Sequence, residues 1–340
     1  YQFVFNLFIL LKLKISIIIP VYNASLTLKE CLDAIFDSRF KNFEVIIVSD
    51  NSSDNSVKLA KQYQCKVIEL SENNGPAFAR NKGAQAAEGD ILLFLDSDVV
   101  IKNDALNCLS NEFFNNKTDA IQGIYSHKPT YKSLATQYQM SYNCYYIWPE
   151  NKKYASTLST CCFAIRKKIF LNLKGFNVNF KRPSAEDEEF GYFLIAKGYK
   201  ILILRELKVE HRINYNLKHF IKKKFYGYID VMKEYLRNKT YVKKIKQTNY
   251  SKVLGGIVIL GLIILTAIGA IISLNKTILS IFLILNIAFL LLHTGFMRFV
   301  GRAKGLTKVF GVMAVCYVDI FFMLVGLLYG SLSYFFGKKY

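Results

Sequence analysis

Four short, largely apolar runs in the first hundred residues constrain this chain more than any other feature. They are ISIIIP (15–20), FEVIIVSD (43–50), CKVIEL (65–70) and ILLFLDSD (91–98). Unbroken apolar runs of this length read as strands covered on both faces. Helical stretches separate them: 25–38, with Asn23 or Ser25 available as a cap, then 51–63, then a loop and a small-residue helix over 73–89. Alternating strand and helix predicts a Rossmann-like α/β domain, a mostly parallel sheet wrapped by helices. The strands finish in Asn23, Asp50 and the pair Asp96 and Asp98, so these side chains are expected at the carboxyl edge, where ligands bind.

Two aspartates one residue apart at a strand end present oxygen ligands to one point. Hard divalent cations such as Mg²⁺ or Mn²⁺ take one or two carboxylates together with phosphate oxygens. Further on, the pattern predicts a helix over 102–114, a strand over 119–126, an aromatic-rich helix or irregular stretch over 131–148, and a strand turning at Arg166 to Lys168. Ser184 is placed to cap a helix whose first turn holds Glu186, Asp187, Glu188 and Glu189, before a strand at 199–204. Acids in a first turn complement the helix dipole, which is a purely structural reason for them.

Composition decides what surrounds this domain. The 340 residues carry a net charge of +20 and are 52% hydrophobic, a combination that points to a membrane surface before nucleic acid. Lys and Arg, interleaved with aromatics, crowd 205–252, as suits an amphipathic helix lying on anionic lipid. Apolar residues follow, in three runs expected as membrane spans near 253–275, 277–297 and 309–336. Arg298, Arg302, Lys304 and Lys308 between the second and third runs place that loop and the N-terminal domain on the cytoplasmic side. Asp319 lies inside the third run, where a carboxylate needs a partner; His293 and Arg298 are the candidates. Seven cysteines without CxxC spacing argue against zinc and disulfides and fit a reducing compartment. The expected domains are an apolar leader (1–13), the α/β domain (14–212), a basic interfacial region (213–252) and a transmembrane region (253–340).

These pieces suit a nucleotide-diphosphate compound. Asp50 can accept from a base imino N–H, while Arg80 and a cation on Asp96 and Asp98 can balance a departing diphosphate. A carboxylate opposite the leaving group would take the acceptor's proton; Asp187 is the candidate, with Glu186 orienting it or raising its pKa by like-charge repulsion.

The motifs SIIIPVYN, VSDNSSD, NGPAFARNKG, FLDSD and AEDEEFGYFLIAKGYKI, in this order, resemble the inverting family 2 glycosyltransferases of GT-A fold, over about residues 14–212. By that resemblance Pro20, Tyr22 and Asn23 line the nucleotide pocket, Asp50 contacts the base and Arg80 lies near the nucleotide and diphosphate. Asp96, Ser97 and Asp98 match the DxD motif that holds Mg²⁺ or Mn²⁺ and the sugar nucleotide. Glu186 and Asp187 match the ED motif whose Asp is the general base, and His211 matches a His near the diphosphate. Ser49–Asp50 stands where the family often has two aspartates, and GFNV (175–178) where GFDE is common.

The QxxRW motif of processive synthases is missing, and the single Trp is Trp148. The expected activity is therefore transfer of one sugar, from a UDP-sugar by preference, to a lipid carrier or lipid-linked acceptor at the cytoplasmic face. The alternatives are a processive polysaccharide synthase and a non-catalytic membrane scaffold; nucleic acid is not an expected partner.

Overall fold

A computed structural model describes residues 13–126, 133–212, 214–238, 250–273 and 275–338. Most of the apolar leader, and Tyr241, Lys243, Lys244 and Lys246 of the basic stretch, lie outside the described residues. The chain forms two compact units. One holds residues 13–126 and 151–212; the other holds 133–150, 214–238 and 250–338. Residues 133–150, grouped with the α/β domain on sequence, therefore pack with the C-terminal helices.

In the first unit the elements run β1 (Ile15–Val21), α1 (Leu28–Phe36), β2 (Phe43–Ser49), α2 (Ser56–Ala60), β3 (Cys65–Glu69), α3 (Pro76–Ala86), β4 (Ile91–Leu95), β5 (Val99–Ile101), α4 (Ala105–Asn115) and β6 (Ala120–Tyr125). After α5 (Leu134–Tyr142), which belongs to the other unit, come β7 (Cys162–Arg166), α6 (Lys167–Asn172), α7 (Glu186–Ala196) and β8 (Ile201–His211). The sheet order is β3-β2-β1-β4-β7-β6-β8-β5. Strands β1 to β4 pair in parallel, as the apolar runs predict, whereas β7 is antiparallel to both β4 and β6. Every residue of β4 is sealed from solvent, and each such Leu, Ile or Phe contributes roughly 1.5–3 kcal/mol of burial.

Helix α1 buries Leu28, Cys31, Leu32 and Ile35, one face at helical spacing. Its N-cap is Thr27, not Ser25 or Asn23. Those two residues serve the loop beyond β2 instead: the Asn23 Oδ1 accepts from the Ser53 N–H (2.9 Å), and the Ser25 N–H donates to Asp54 (2.9 Å). Helix α7 likewise starts after Ala185, not Ser184, and the Ser184 N–H donates to the Glu186 carboxylate (2.8 Å). The acid in the first turn thus holds the residue just before the cap. Under α7, Phe94, Phe163, Phe170, Phe176 and Phe190 pack with ring centroids 5.0–6.5 Å apart, which seats the helix against β4 and β7.

In the second unit, α5 runs into a wider π-helical turn (Asn143–Ile147) and is followed by α8 (Leu217–Arg237), α9 (Tyr250–Ser273), α10 (Lys276–Leu292), α11 (Thr294–Lys304) and α12 (Leu306–Phe335). Gly255–Ser273 and Leu306–Phe335 are each long and apolar enough to cross a membrane. The expected middle span is broken at His293, where α10 and α11 bend by 57°; counted as one, they make a third.

Asp319 takes partners other than those expected. Its two oxygens accept from the Tyr138 and Tyr228 hydroxyls (2.8 Å each), with the Lys224 Nζ at 3.9 Å. The His293 Nδ1 pairs with the Phe289 carbonyl (2.8 Å), in its own turn. The basic helix α8 lies against α12: a Cβ at Gly326 would stand 2.9 Å from the Tyr228 Cβ, and one at Gly330 2.8 Å from the Ile229 carbonyl oxygen. Only glycine permits that approach. Phe220 and Ile229 are buried within this unit, while Lys218, Lys222 and Lys223 stay exposed. All seven cysteines are free, as their spacing predicts.

Candidate active site

The carboxyl ends of β1, β2 and β4 converge as the strand pattern demands. Near the end of β1, Pro20 lies one residue before the strand closes at Val21, Tyr22 is exposed and Asn23 adopts a left-handed conformation (φ 50°), one that Asn tolerates better than most residues. Asp54 ties this loop to the one beyond β2, accepting from the backbone N–H groups of Ser25 and Ser56. Burial would raise the Asp54 pKa, but the hydrogen bonds from Ser56 and Ser25 prevail and hold it at about 2. This residue was not singled out on sequence, although a short acid before a helix is a recognisable turn signal.

Asp50 follows β2 and is 4% exposed. One of its oxygens accepts from the Asn74 N–H and the other from the Gly75 N–H, both at 2.8 Å. It thereby shapes the loop that launches α3. Gly75, with φ 87°, has the Lys181 backbone where a Cβ would stand, 2.7 Å away, so glycine alone fits.

Beyond β4, Ser97 sits in the turn between Asp96 and Asp98, and the chain pairs again at once as β5. In that register Val99 faces His211, and the Arg212 N–H donates to the Asp98 carbonyl (2.7 Å). The short antiparallel ladder is what delivers the His211 Nε2 to 3.5 Å from the Asp98 carboxylate. Asp96, Asp98 and His211 each offer one ligand atom within 4.8 Å of the others. Two carboxylates and an imidazole suit a divalent cation such as Mg²⁺ or Mn²⁺.

Arg80 on α3 is 5% exposed, and its guanidinium spans two acids. Nη2 donates to the Asp96 Oδ1 (2.9 Å) and Nη1 to the Glu186 Oε1 (3.0 Å). One side chain therefore brings the first acid of the Asp96/Asp98 pair and the first acid of α7 together, though 90 residues of sequence separate Asp96 from Glu186. Beside Glu186, half-buried Asp187 accepts from the Thr160 N–H (3.4 Å) and from the Glu188 N–H (2.9 Å). Removal from water, followed by the charges of Glu186 and Glu188, pushes its carboxyl well above the usual Asp range; Arg80 opposes that rise.

Gln122 is a second residue that sequence reasoning missed. Its buried amide donates to the carbonyls of Gly123, Ser159 and Cys162 and accepts from the Ser159 N–H. It sets the 159–162 backbone, which contacts Asp96 through the Cys161 carbonyl and Asp187 through the Thr160 N–H. A lone Gln within a strand carries no sequence signal for such a task.

A mostly parallel sheet in this order, with paired acids at its carboxyl edge, is GT-A-like. Residues 16–173 match the family described as "Glycosyl transferase family 2". Among curated proteins, an uncharacterized glycosyltransferase of Haemophilus influenzae is 37% identical over 117 residues, covering 33% of this chain and 47% of that protein. The poly(ribitol-phosphate) beta-glucosyltransferase of Bacillus spizizenii is 38% identical over 119 residues, covering 33% of this chain and 19% of its own length. These matches span less than half of either relative. Among solved structures, the mannosyltransferase PcManGT of Pyrobaculum calidifontis, in complex with GDP-Man and Mn²⁺, superposes with a TM-score of 0.63 at 14% identity, over 89% of this chain and 86% of that one. Residues 1–349 of S. aureus TarS, in complex with UDP-GlcNAc, give 0.50 at 17% identity, over 96% and 92%.

Proposed function

We propose that the protein transfers one sugar from a nucleotide-diphosphate sugar, a UDP-sugar by preference, to a lipid carrier or lipid-linked acceptor, with inversion at the anomeric carbon. The observation that carries this reading is the shared guanidinium of Arg80, which brings the acids suited to a cation and the acids suited to proton removal into one cluster. Pro20, Tyr22, Asn23 and Asp50 form the nucleotide end of the cleft, and Asp96, Ser97, Asp98 and His211 its diphosphate end. A divalent cation held by Asp96, Asp98 and His211 would offset the charge that builds on the departing diphosphate. Asp187 takes the proton of the attacking hydroxyl, and its raised pKa makes it a stronger base than an ordinary aspartate once ionised.

The apolar helices of the second unit support a membrane-embedded acceptor, and Arg298, Arg302, Lys304 and Lys308 support a cytoplasmic catalytic domain. In this reading residues 14–212, apart from the 133–150 segment that packs with the C-terminal helices, serve transfer, 213–252 the interface and 253–340 the membrane. A second reading, an anionic phosphate-linked polymer as acceptor, is favoured by the relative named for poly(ribitol-phosphate) and by the net charge of +20.

Membranes containing the protein, given radiolabelled sugar nucleotides and Mg²⁺ or Mn²⁺, should pass label to an organic-extractable lipid bearing a single added sugar. Label found only in soluble products, or in a growing polymer, would defeat the lipid-acceptor reading.

A further inference from the structure

We propose that Arg80 is a positioning residue that fastens helix α7, which bears the acceptor-side acids, to the carboxylate pair on the cation side. The inference rests on the glycosyl-transfer reading above and assigns Arg80 a task within it. Its two terminal nitrogens go to two different carboxylates, Asp96 and Glu186, and the whole side chain is nearly sealed from solvent. A planar guanidinium can hold two acids at fixed separation; the ammonium of lysine is a single point of charge and cannot.

The rest of α3 serves the same attachment. Asp50 fixes the loop at its start through Asn74 and Gly75. Asn81, the residue after Arg80, accepts from the Phe176 N–H (2.9 Å) and donates to the Phe176 carbonyl (2.7 Å), clamping the segment that leads into α7. The Phe176 ring centroid lies 5.9 Å from the Arg80 guanidinium carbon. Helix α3 therefore grips α7 by a charge bridge at Arg80 and its approach segment by a backbone clamp at Asn81. The bridge also balances charge. Glu186 is 3% exposed, and an acid so buried beside Asp187 and Glu188 would oppose ionisation of the base unless a cation answered it.

The test uses full-length protein in detergent, comparing wild type with Arg80→Lys, Arg80→Gln, Glu186→Gln and the double variant Arg80→Gln/Glu186→Gln. Mn²⁺ binding is read by electron paramagnetic resonance, folding by thermal melts, and turnover with the acceptor. Arg80→Gln should bind Mn²⁺ at least as tightly as wild type, because Asp96 loses a competing cation. Its kcat should fall on the order of 100-fold with the donor KM nearly unchanged, as expected for a displaced catalytic group. Arg80→Lys should not restore turnover. The double variant should recover roughly 10-fold over Arg80→Gln, and part of its melting temperature, because no buried acid is left without its cation. A raised donor KM with unchanged kcat in Arg80→Gln would overturn the proposal and put Arg80 on the donor. Losses that simply add in the double variant would also overturn it. Wild-type protein that transfers no sugar, yet shows the Mn²⁺ response and the Arg80–Glu186 coupling in melts, would sink the glycosyl-transfer reading and leave the bridge standing.

Discussion

Glu186 in the sheet unit and Asp319 in the helical unit are both almost sealed from water, at 3% and 1% exposure, yet they are answered by different chemistry. Glu186 faces a guanidinium that is itself divided with Asp96. Asp319 faces two phenol hydroxyls at 2.8 Å, with an ammonium only at 3.9 Å. Neutral donors satisfy a carboxylate without bringing a second full charge into an apolar helix pack, where each buried ion is costly. A shared cation makes one acid's state depend on another's: Glu186 is tied to Asp96 through Arg80, whereas Asp319 is held within its own helix pack.

That contrast can be broken by substitution, and the largest effect belongs to the acid beside Glu186. Asp187→Asn should lower kcat by roughly 10²–10⁴-fold, the usual worth of a general base, while nucleotide binding in the presence of Mn²⁺, measured by thermal shift, persists. Full activity in that variant would remove Asp187 from the reaction. On the other side of the comparison, Asp319→Ala should act on stability alone. Stranding two phenols and an ammonium should cost on the order of 3 kcal/mol in the thermal unfolding of detergent-solubilised protein, with Mn²⁺ affinity of the folded fraction unchanged. A loss of Mn²⁺ affinity there would show that the two acids are not separate in function.

The smallest effect is on pH. The base works only when ionised, and its pKa is raised by burial and by Glu186 and Glu188, so the acid limb of kcat/KM should lie above the ordinary carboxylate range. Glu186→Gln removes one of those charges and should move the limb to lower pH, even though it also lowers the rate. A limb that stays in place, or moves upward, would show that Glu186 does not act on Asp187 through charge. Linkage runs the same way: a carboxyl raised in the folded state favours folding at low pH, and that contribution fades as pH rises through its folded pKa.

Much of this was legible along the chain because it depends on period and order. Apolar runs at 15–20, 43–50 and 91–98 can be little other than buried strands, while 65–70 became the half-buried edge strand β3, and a strand's end fixes where its last acid points. Apolar runs of membrane length are equally local, and two of the three became unbroken helices. Pairings between distant side chains were not legible. Asp319 has a His and an Arg in the neighbouring run, but they lost to Tyr138 and Tyr228, which lie 181 and 91 residues away. His211 reached Asp98 through β5, three residues too short to register as a strand.

What the sequence determined by itself is the repertoire: a parallel sheet with acids along one edge, a basic stretch, and apolar helices after it. Hydrophobic period and residue type are properties of neighbours in the chain, and they survive without knowledge of what packs against them. Only the tertiary structure decided which charges meet. Arg80 could have faced solvent or ligand as far as its neighbours reveal, and it is bound to two acids because α3, β4 and α7 close on one another in three dimensions. Long-range contacts of that kind are set by the packing of whole elements, which no local window contains.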